Sequence, residues 1–236
     1  MPSMGCGLEP MPSGSGTIQV DGMARTYEFS VPQDYDKSRS YPLLFAFHGA
    51  GVPAGTFRTY FNMTQVVGPD AIVVYPEALG DPMAWNQQRD LPLFDALLTQ
   101  FKAQYCVDEK RVFAAGHSSG GFFTHAVGCA RGNVIRGIGP LSAGAPFGSC
   151  MGQIAVWISH GNADPAVMVD SGRKARDFWA QHNHCDVSMS MPVDPAPTVE
   201  YAGCDPGFAV RYCEYDGEHN LPAYAPKGIW DFFKTL

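Results

Sequence analysis

Short uninterrupted apolar runs recur along the chain, each cut off by glycine, proline or a polar cluster. Leu43-Leu44-Phe45-Ala46-Phe47 ends at His48-Gly49, and Ala71-Ile72-Val73-Val74-Tyr75 ends at Pro76. Runs this short, apolar at consecutive positions and rich in β-branched and aromatic residues, predict strands buried on both faces, as in a parallel sheet. Val112-Phe113-Ala114-Ala115 and Ile154-Ala155-Val156-Trp157-Ile158 read the same way; Ile135 to Leu141 is a weaker case because glycines interrupt it. Near the start, Thr17 to Val20 and Arg25 to Phe29 alternate on either side of Asp21-Gly22, which predicts a β-hairpin. Between strands the period changes. Leu93, Phe94, Leu97, Leu98 and Phe101 share one helical face, so Leu93 to Tyr105 reads as a helix. Phe122 to Val127 suits a second, Ser171 to His182 a third with Ser171 as its cap, and Gly228 to Leu236 a closing one. Residues 186 to 208, rich in Pro, Asp and Gly, read as an irregular excursion before a last strand, Val210 to Tyr215. Strands alternating with helices specify an α/β fold with a mostly parallel central sheet flanked by helices. No repeat or linker divides the chain, so residues 1–236 are expected to form a single domain.

Composition narrows the function classes. The chain has 236 residues, 45% hydrophobic and 17% charged, with a net charge of -7. Phosphate contact needs clustered Lys and Arg, so nucleic acid is not an expected partner. No run approaches the roughly 18 apolar residues that a membrane helix requires. Met1-Pro2-Ser3-Met4-Gly5 has neither the charged nor the apolar region of a signal peptide, and the expectation is a start Met on a mature chain. Seven dispersed cysteines (Cys6, Cys106, Cys129, Cys150, Cys185, Cys204 and Cys213) include no C-x-x-C. This pattern points to a secreted protein with up to three disulfides and one free thiol; the plainer alternative is a cytosolic chain with buried thiols. Cys185 and Cys204 flank the same proline-rich excursion and are candidates to pair.

The most informative segment is Arg111 to Gly121. The strand Val112 to Ala115 runs into Gly116-His117-Ser118-Ser119-Gly120, and a helix follows. Strand, G-x-S-x-G and helix together make the setting of a nucleophile elbow, in which the serine hydroxyl sits at the tip of a sharp turn. A serine is a weak nucleophile at neutral pH and needs a base, which in turn needs an orienting acid. Later in the chain, Asp164 follows the strand ending at His160, in Gly161-Asn162-Ala163-Asp164-Pro165. His219 follows the last strand, in Asp216-Gly217-Glu218-His219-Asn220. Side chains just past the C-terminal ends of strands sit where ligands bind in open α/β sheets. His125, well inside the elbow helix, is expected to point away from Ser118. His48 reads equally well as a packed core histidine. His182-Asn183-His184-Cys185 lacks a fourth ligand, so no metal and no cofactor is called for.

These motifs resemble, in order, those of the secreted carbohydrate esterases of the feruloyl esterase and polyhydroxybutyrate depolymerase-like group. The matching segments are Phe47-His48-Gly49-Ala50-Gly51, Gly116 to Gly121, His160 to Pro165 and Asp216 to His219, and the placing of Cys106, Cys129 and Cys213 is also similar. The resemblance implies an α/β-hydrolase fold without a large lid, and Ser118, Asp164 and His219 as nucleophile, acid and base. It implies an oxyanion hole from the Ala50 and Ser119 amides, and a pocket tryptophan at Trp85. The chain departs from the pattern at His117, where Phe or Met is usual, and at Glu218 and Asn220 around the base. The implied activity is a secreted, monomeric serine esterase, first a feruloyl esterase acting on a plant polysaccharide substituent. The alternatives are an acetyl xylan esterase, a short-chain polyester depolymerase, or an inactive hydrolase-fold binding protein.

Overall fold

The computed structural model describes all residues, Met1–Leu236. Ten strands form one sheet: β1 (Gly14–Val20), β2 (Met23–Ser30), β3 (Tyr41–Phe47), β4 (Ile72–Pro76), β5 (Val107–His117), β6 (Gly137–Leu141), β7 (Ala155–Gly161), β8 (Asp186–Pro192), β9 (Thr198–Ala202) and β10 (Val210–Tyr215). Their spatial order is β1-β2-β4-β3-β5-β6-β7-β10-β9-β8. The six central strands, β4 to β10 in that order, are parallel. Antiparallel strands close both edges. This is an α/β-hydrolase fold.

Six helices cover the sheet: α1 (Ala54–Phe61), α2 (Met63–Val67), α3 (Gln87–Gln104), α4 (Ser119–Ala130), α5 (Val169–His182) and α6 (Ala225–Lys234). Successive strand residues face opposite sides, so β3 feeds two cores. Leu43, Phe45 and Phe47 join α3, α4 and α5 through Phe94, Phe101, Phe123 and Trp179. Leu44 and Ala46 join α1, α2 and α6 through Phe57, Phe61, Met63 and Phe233. Phe233 stacks on Phe113 of β5 with ring centroids 4.4 Å apart. Each such fully buried aromatic removes enough apolar surface from water to contribute about 1.5–3 kcal/mol.

Several elements differ from the sequence reading. Helix α3 begins at Gln87, a turn and a half before Leu93. Its start is set by reciprocal capping: Arg89 N donates to Asn86 Oδ1 at 3.0 Å and Asn86 N to Asp90 Oδ2 at 2.7 Å. Ser171 is not a cap. Helix α5 starts at Val169, and Met168 holds the cap position without a side-chain bond. Residues 186–208 are not irregular throughout: β8 and β9 form an antiparallel hairpin at the sheet edge. Every residue of β8 is exposed, so this strand rests on backbone pairing and shows no apolar face in the sequence. Helices α1 and α2 were not foreseen; both are short, and their burial rests on a few residues, Phe57, Phe61 and Met63 among them.

Disulfides join Cys6 to Cys106, Cys129 to Cys150 and Cys185 to Cys204, leaving Cys213 free and buried. The last of them staples the base of the β8–β9 hairpin. No helix is long and apolar enough to cross a membrane.

Candidate active site

Strands β3, β5, β7 and β10 run parallel, with β6 between β5 and β7, and the loops that follow their C-terminal ends carry the polar groups of the site. At the end of β5 the chain turns directly into α4 at Ser118, whose backbone sits at φ 56 and ψ -122. Positive φ is strained for a residue with a side chain and persists only where the surroundings impose it. Here the imposing contacts come from the flanking glycines. A Cβ on Gly116 would lie 2.6 Å from Gly120 O, and one on Gly120 would lie 2.0 Å from Phe47 O. Only glycine lets the elbow pack that tightly against β3. Ser118 N donates to Leu141 O at 2.9 Å, which ties the turn to β6 as well.

The serine hydroxyl faces His219. Oγ lies 2.9 Å from His219 Nε2, and His219 Nδ1 lies 2.7 Å from Asp164 Oδ2. Because a carboxylate only accepts, the proton between the last two belongs to Nδ1, which leaves Nε2 free to accept from the serine hydroxyl. Asp164 is buried, 3% exposed. Burial alone would raise its pKa, but the Val167 and Ala166 amides, at 2.8 and 2.9 Å from Oδ1, and His219 outweigh that effect and hold it below the usual carboxylate value. His160 Nε2 lies 3.5 Å from Asp164 Oδ2 but 2.7 Å from Val167 O. The shorter contact makes Nε2–H a donor to the Val167 carbonyl.

The β3–α1 loop passes over the elbow. A Cβ on Gly49 would stand 3.6 Å from Ser118 Cβ. His48 is fully buried, with Nδ1 2.7 Å from Gly49 O, while Ala78 N donates to Nε2 at 3.0 Å. Glu77 Oε1 also lies 3.1 Å from Nε2, a geometry that would suit a charged imidazole. Burial pushes the His48 pKa down, so the neutral tautomer is the consistent one, with Nδ1–H donating to Gly49 O. The Gly49–Ala50 peptide is trans, so with its carbonyl held by His48 its N–H, on Ala50, points the other way. The Ala50 amide donates to no backbone acceptor. Ser119 is the first residue of α4, so its amide has no partner within the helix.

Trp85 stacks on Phe123 at 4.8 Å, donates Nε1–H to His48 O at 2.9 Å, and donates its backbone N–H to Ser119 Oγ at 3.0 Å. It therefore braces both loops and also lines a cavity of about 260 Å³ beside α4. Larger surface hollows near Pro10–Tyr35 and Asp108–Arg136 are lined by none of Ser118, His219, Trp85 or the α4 residues. His117 packs against His219, with ring centroids 4.9 Å apart. Burial, then the nearby His219, pushes its pKa down to about 4. His125 is buried in the elbow helix and accepts from Trp179 Nε1 at 2.9 Å, away from Ser118. His182 and His184 bind Gly152 O and Asp205, and Cys185 is in a disulfide.

The structure thus brings Ser118, His219 and Asp164 into one hydrogen-bonded line, with Ala50, Ser119 and Trp85 around it. The sequence reading missed the aromatic surroundings: Phe122 and Phe147 border the same cavity as Trp85. A helical phenylalanine ordinarily reads as core, and a lone loop phenylalanine carries no pattern.

No family model matches the chain. It is 28% identical over 265 residues to feruloyl esterase D of Neurospora crassa, covering 100% of this chain and 91% of that protein. It is 29% identical to feruloyl esterase C of Emericella nidulans, covering 98% and 90% respectively. Among solved structures, acetyl xylan esterase from Aspergillus awamori superposes with a TM-score of 0.78 at 12% identity, over 94% of this chain and 100% of that one. A ferulic acid esterase from Anaeromyces mucronatus, in complex with ferulic acid, superposes with a TM-score of 0.60 at 14% identity, over 97% and 92%.

Proposed function

We propose that this chain, a carbohydrate esterase of the α/β-hydrolase type, is a feruloyl esterase that releases hydroxycinnamic acids from plant cell-wall polysaccharide. The observation that carries the reading is the unbroken line from Ser118 Oγ through His219 to Asp164. His219 Nε2 takes the serine proton as Oγ attacks the ester carbonyl carbon. The carbonyl electron pair moves onto oxygen, and the Ala50 and Ser119 amides stabilise that oxyanion. Collapse expels the sugar alkoxide, which receives from His219 the proton that Ser118 gave up. A water molecule, deprotonated by the same nitrogen, then attacks the acyl-enzyme, and the second collapse frees the acid and restores Ser118. Asp164 keeps the His219 proton on Nδ1 and stabilises the imidazolium formed in each half-reaction.

Secretion belongs to the same reading, because disulfides persist in oxidising compartments and this chain closes three. The test is hydrolysis of methyl ferulate, an acetylated xylan and a hydroxybutyrate polymer side by side, with wild type and Ser118→Ala. Ferulate release should dominate. The variant should keep its circular dichroism spectrum and lose about a millionfold in kcat. Substantial turnover by Ser118→Ala would remove Ser118 as nucleophile. Acetate release without ferulate release would move the enzyme to a different substrate class.

A further inference from the structure

The cavity beside α4 is not lined by Ser118, Asp164 or His219, but it adjoins the elbow through Phe122 and through Trp85, whose backbone N–H donates to Ser119 Oγ. Its floor is one face of α4: Phe122, Phe123 and Ala126 lie three, four and seven residues after Ser119. Helical side chains lean toward the helix N-terminus, so Phe122 leans over the turn that carries Ser118. Trp85 closes one side. The other side is Pro146 and Phe147, in the stretch Ala143 to Cys150 that leaves the end of β6. This strap runs back along α4. At one end Gly144 packs so closely on Phe122 that a Cβ there would stand 3.1 Å from the ring. At the other, Cys150 is bonded to Cys129 in the last turn of α4. Between them, no backbone hydrogen bond joins Ala143 to Ser149 to anything. Phe147 is 87% exposed and Phe122 39%.

Resting on the esterase reading, we infer that this strap is the outer wall of an aromatic acyl slot, and that Phe147, held there by the Cys129–Cys150 bridge, selects aryl acyl groups over small ones. The volume of about 260 Å³ lies just below the usual range for drug-sized ligands, which fits one aromatic ring on a short unsaturated stem. Aromatic faces on three sides suit offset and edge-to-face contacts with that ring. A strap without hydrogen bonds opens easily unless it is tied, and the disulfide supplies the tie at its far end.

The experiment compares methyl ferulate with methyl butyrate, which share a leaving group, in wild type, Phe147→Ala and the double variant Cys129→Ser/Cys150→Ser. Both sets of variants should lose about tenfold in kcat/KM for methyl ferulate, mostly through KM, while methyl butyrate changes by less than about twofold. Phe147 is outside the core, so its truncation reads the slot even where loss of the bridge lowers stability. Equal losses on both esters, or no loss on ferulate in Phe147→Ala, would overturn the inference. Wild type active on butyrate but not on ferulate would overturn the slot and leave the esterase reading standing; wild type inert to both would overturn that reading and the slot with it.

Discussion

Asp164 is committed on both oxygens: Oδ1 accepts two backbone amides of its own loop and Oδ2 accepts His219 Nδ1–H. Its orientation is therefore fixed before substrate arrives, and that orientation fixes the His219 tautomer. Asp164→Asn would keep the shape, yet its amide nitrogen could be turned toward His219 and favour the wrong tautomer. The expected outcome is a fall in kcat of about 10⁴ with KM little changed, read from initial rates on methyl ferulate. An unaltered kcat would mean that Asp164 does not orient the base. At this scale the sequence was informative because each of the three groups sits just beyond a strand, where position along the chain predicts position in space. Phe122, Phe147 and the bracing contacts of Trp85 carry no such mark, because their roles depend on which segments the fold brings together.

The elbow shows how an element can be set by backbone approach rather than by side-chain packing. Strand β5 and helix α4 meet β3 across Gly116 and Gly120, and the obstacle to any side chain at Gly120 is the Phe47 carbonyl of a central strand. That carbonyl cannot withdraw, because β3 is paired on both sides. Gly120→Ala should therefore shift the helix start, cost about 1–3 kcal/mol or more in urea unfolding, and reduce activity well beyond the loss in folded fraction. A neutral effect on both would contradict the close packing described. The parallel strands were legible because burial on both faces leaves an unbroken apolar run. The edge hairpin β8–β9 was not, because β8 buries neither face. Helices α1 and α2 escaped notice for a related reason: eight and five residues are too few to show a period, and the buried aromatics Phe57 and Phe61 act as plugs in the core that β3 and β4 share rather than as a stripe.

Across the whole molecule, buried histidines pack against the sheet apart from the Ser118–His219–Asp164 line, and these tie stability to pH. Burial, chiefly, pushes His117 down to about 4 and His125 down to about 3, against an ordinary value of 6.5. His219, Asp164 and His160 face His117; their net charge adds little attraction for a proton there. Below pH 6.5 the unfolded chain takes up protons that the folded chain refuses at these two positions. The contribution of each histidine to stability is thus complete above 6.5 and is lost as pH falls toward its folded value. Between pH 6.5 and about 4, folding free energy should decline by up to about 1.4 kcal/mol per pH unit for each of the two. Urea unfolding at pH 7.0, 5.5 and 4.5 measures this slope, to which buried His48 also contributes, and His117→Phe, which removes one titrating group while filling the same space against His219, should lower it by up to about 1.4 kcal/mol per pH unit. A slope unchanged by that substitution would mean that His117 is protonated in the folded protein, and its packing against the base would then need a charge partner that the surrounding carboxylate, already engaged by His219 and two amides, does not supply.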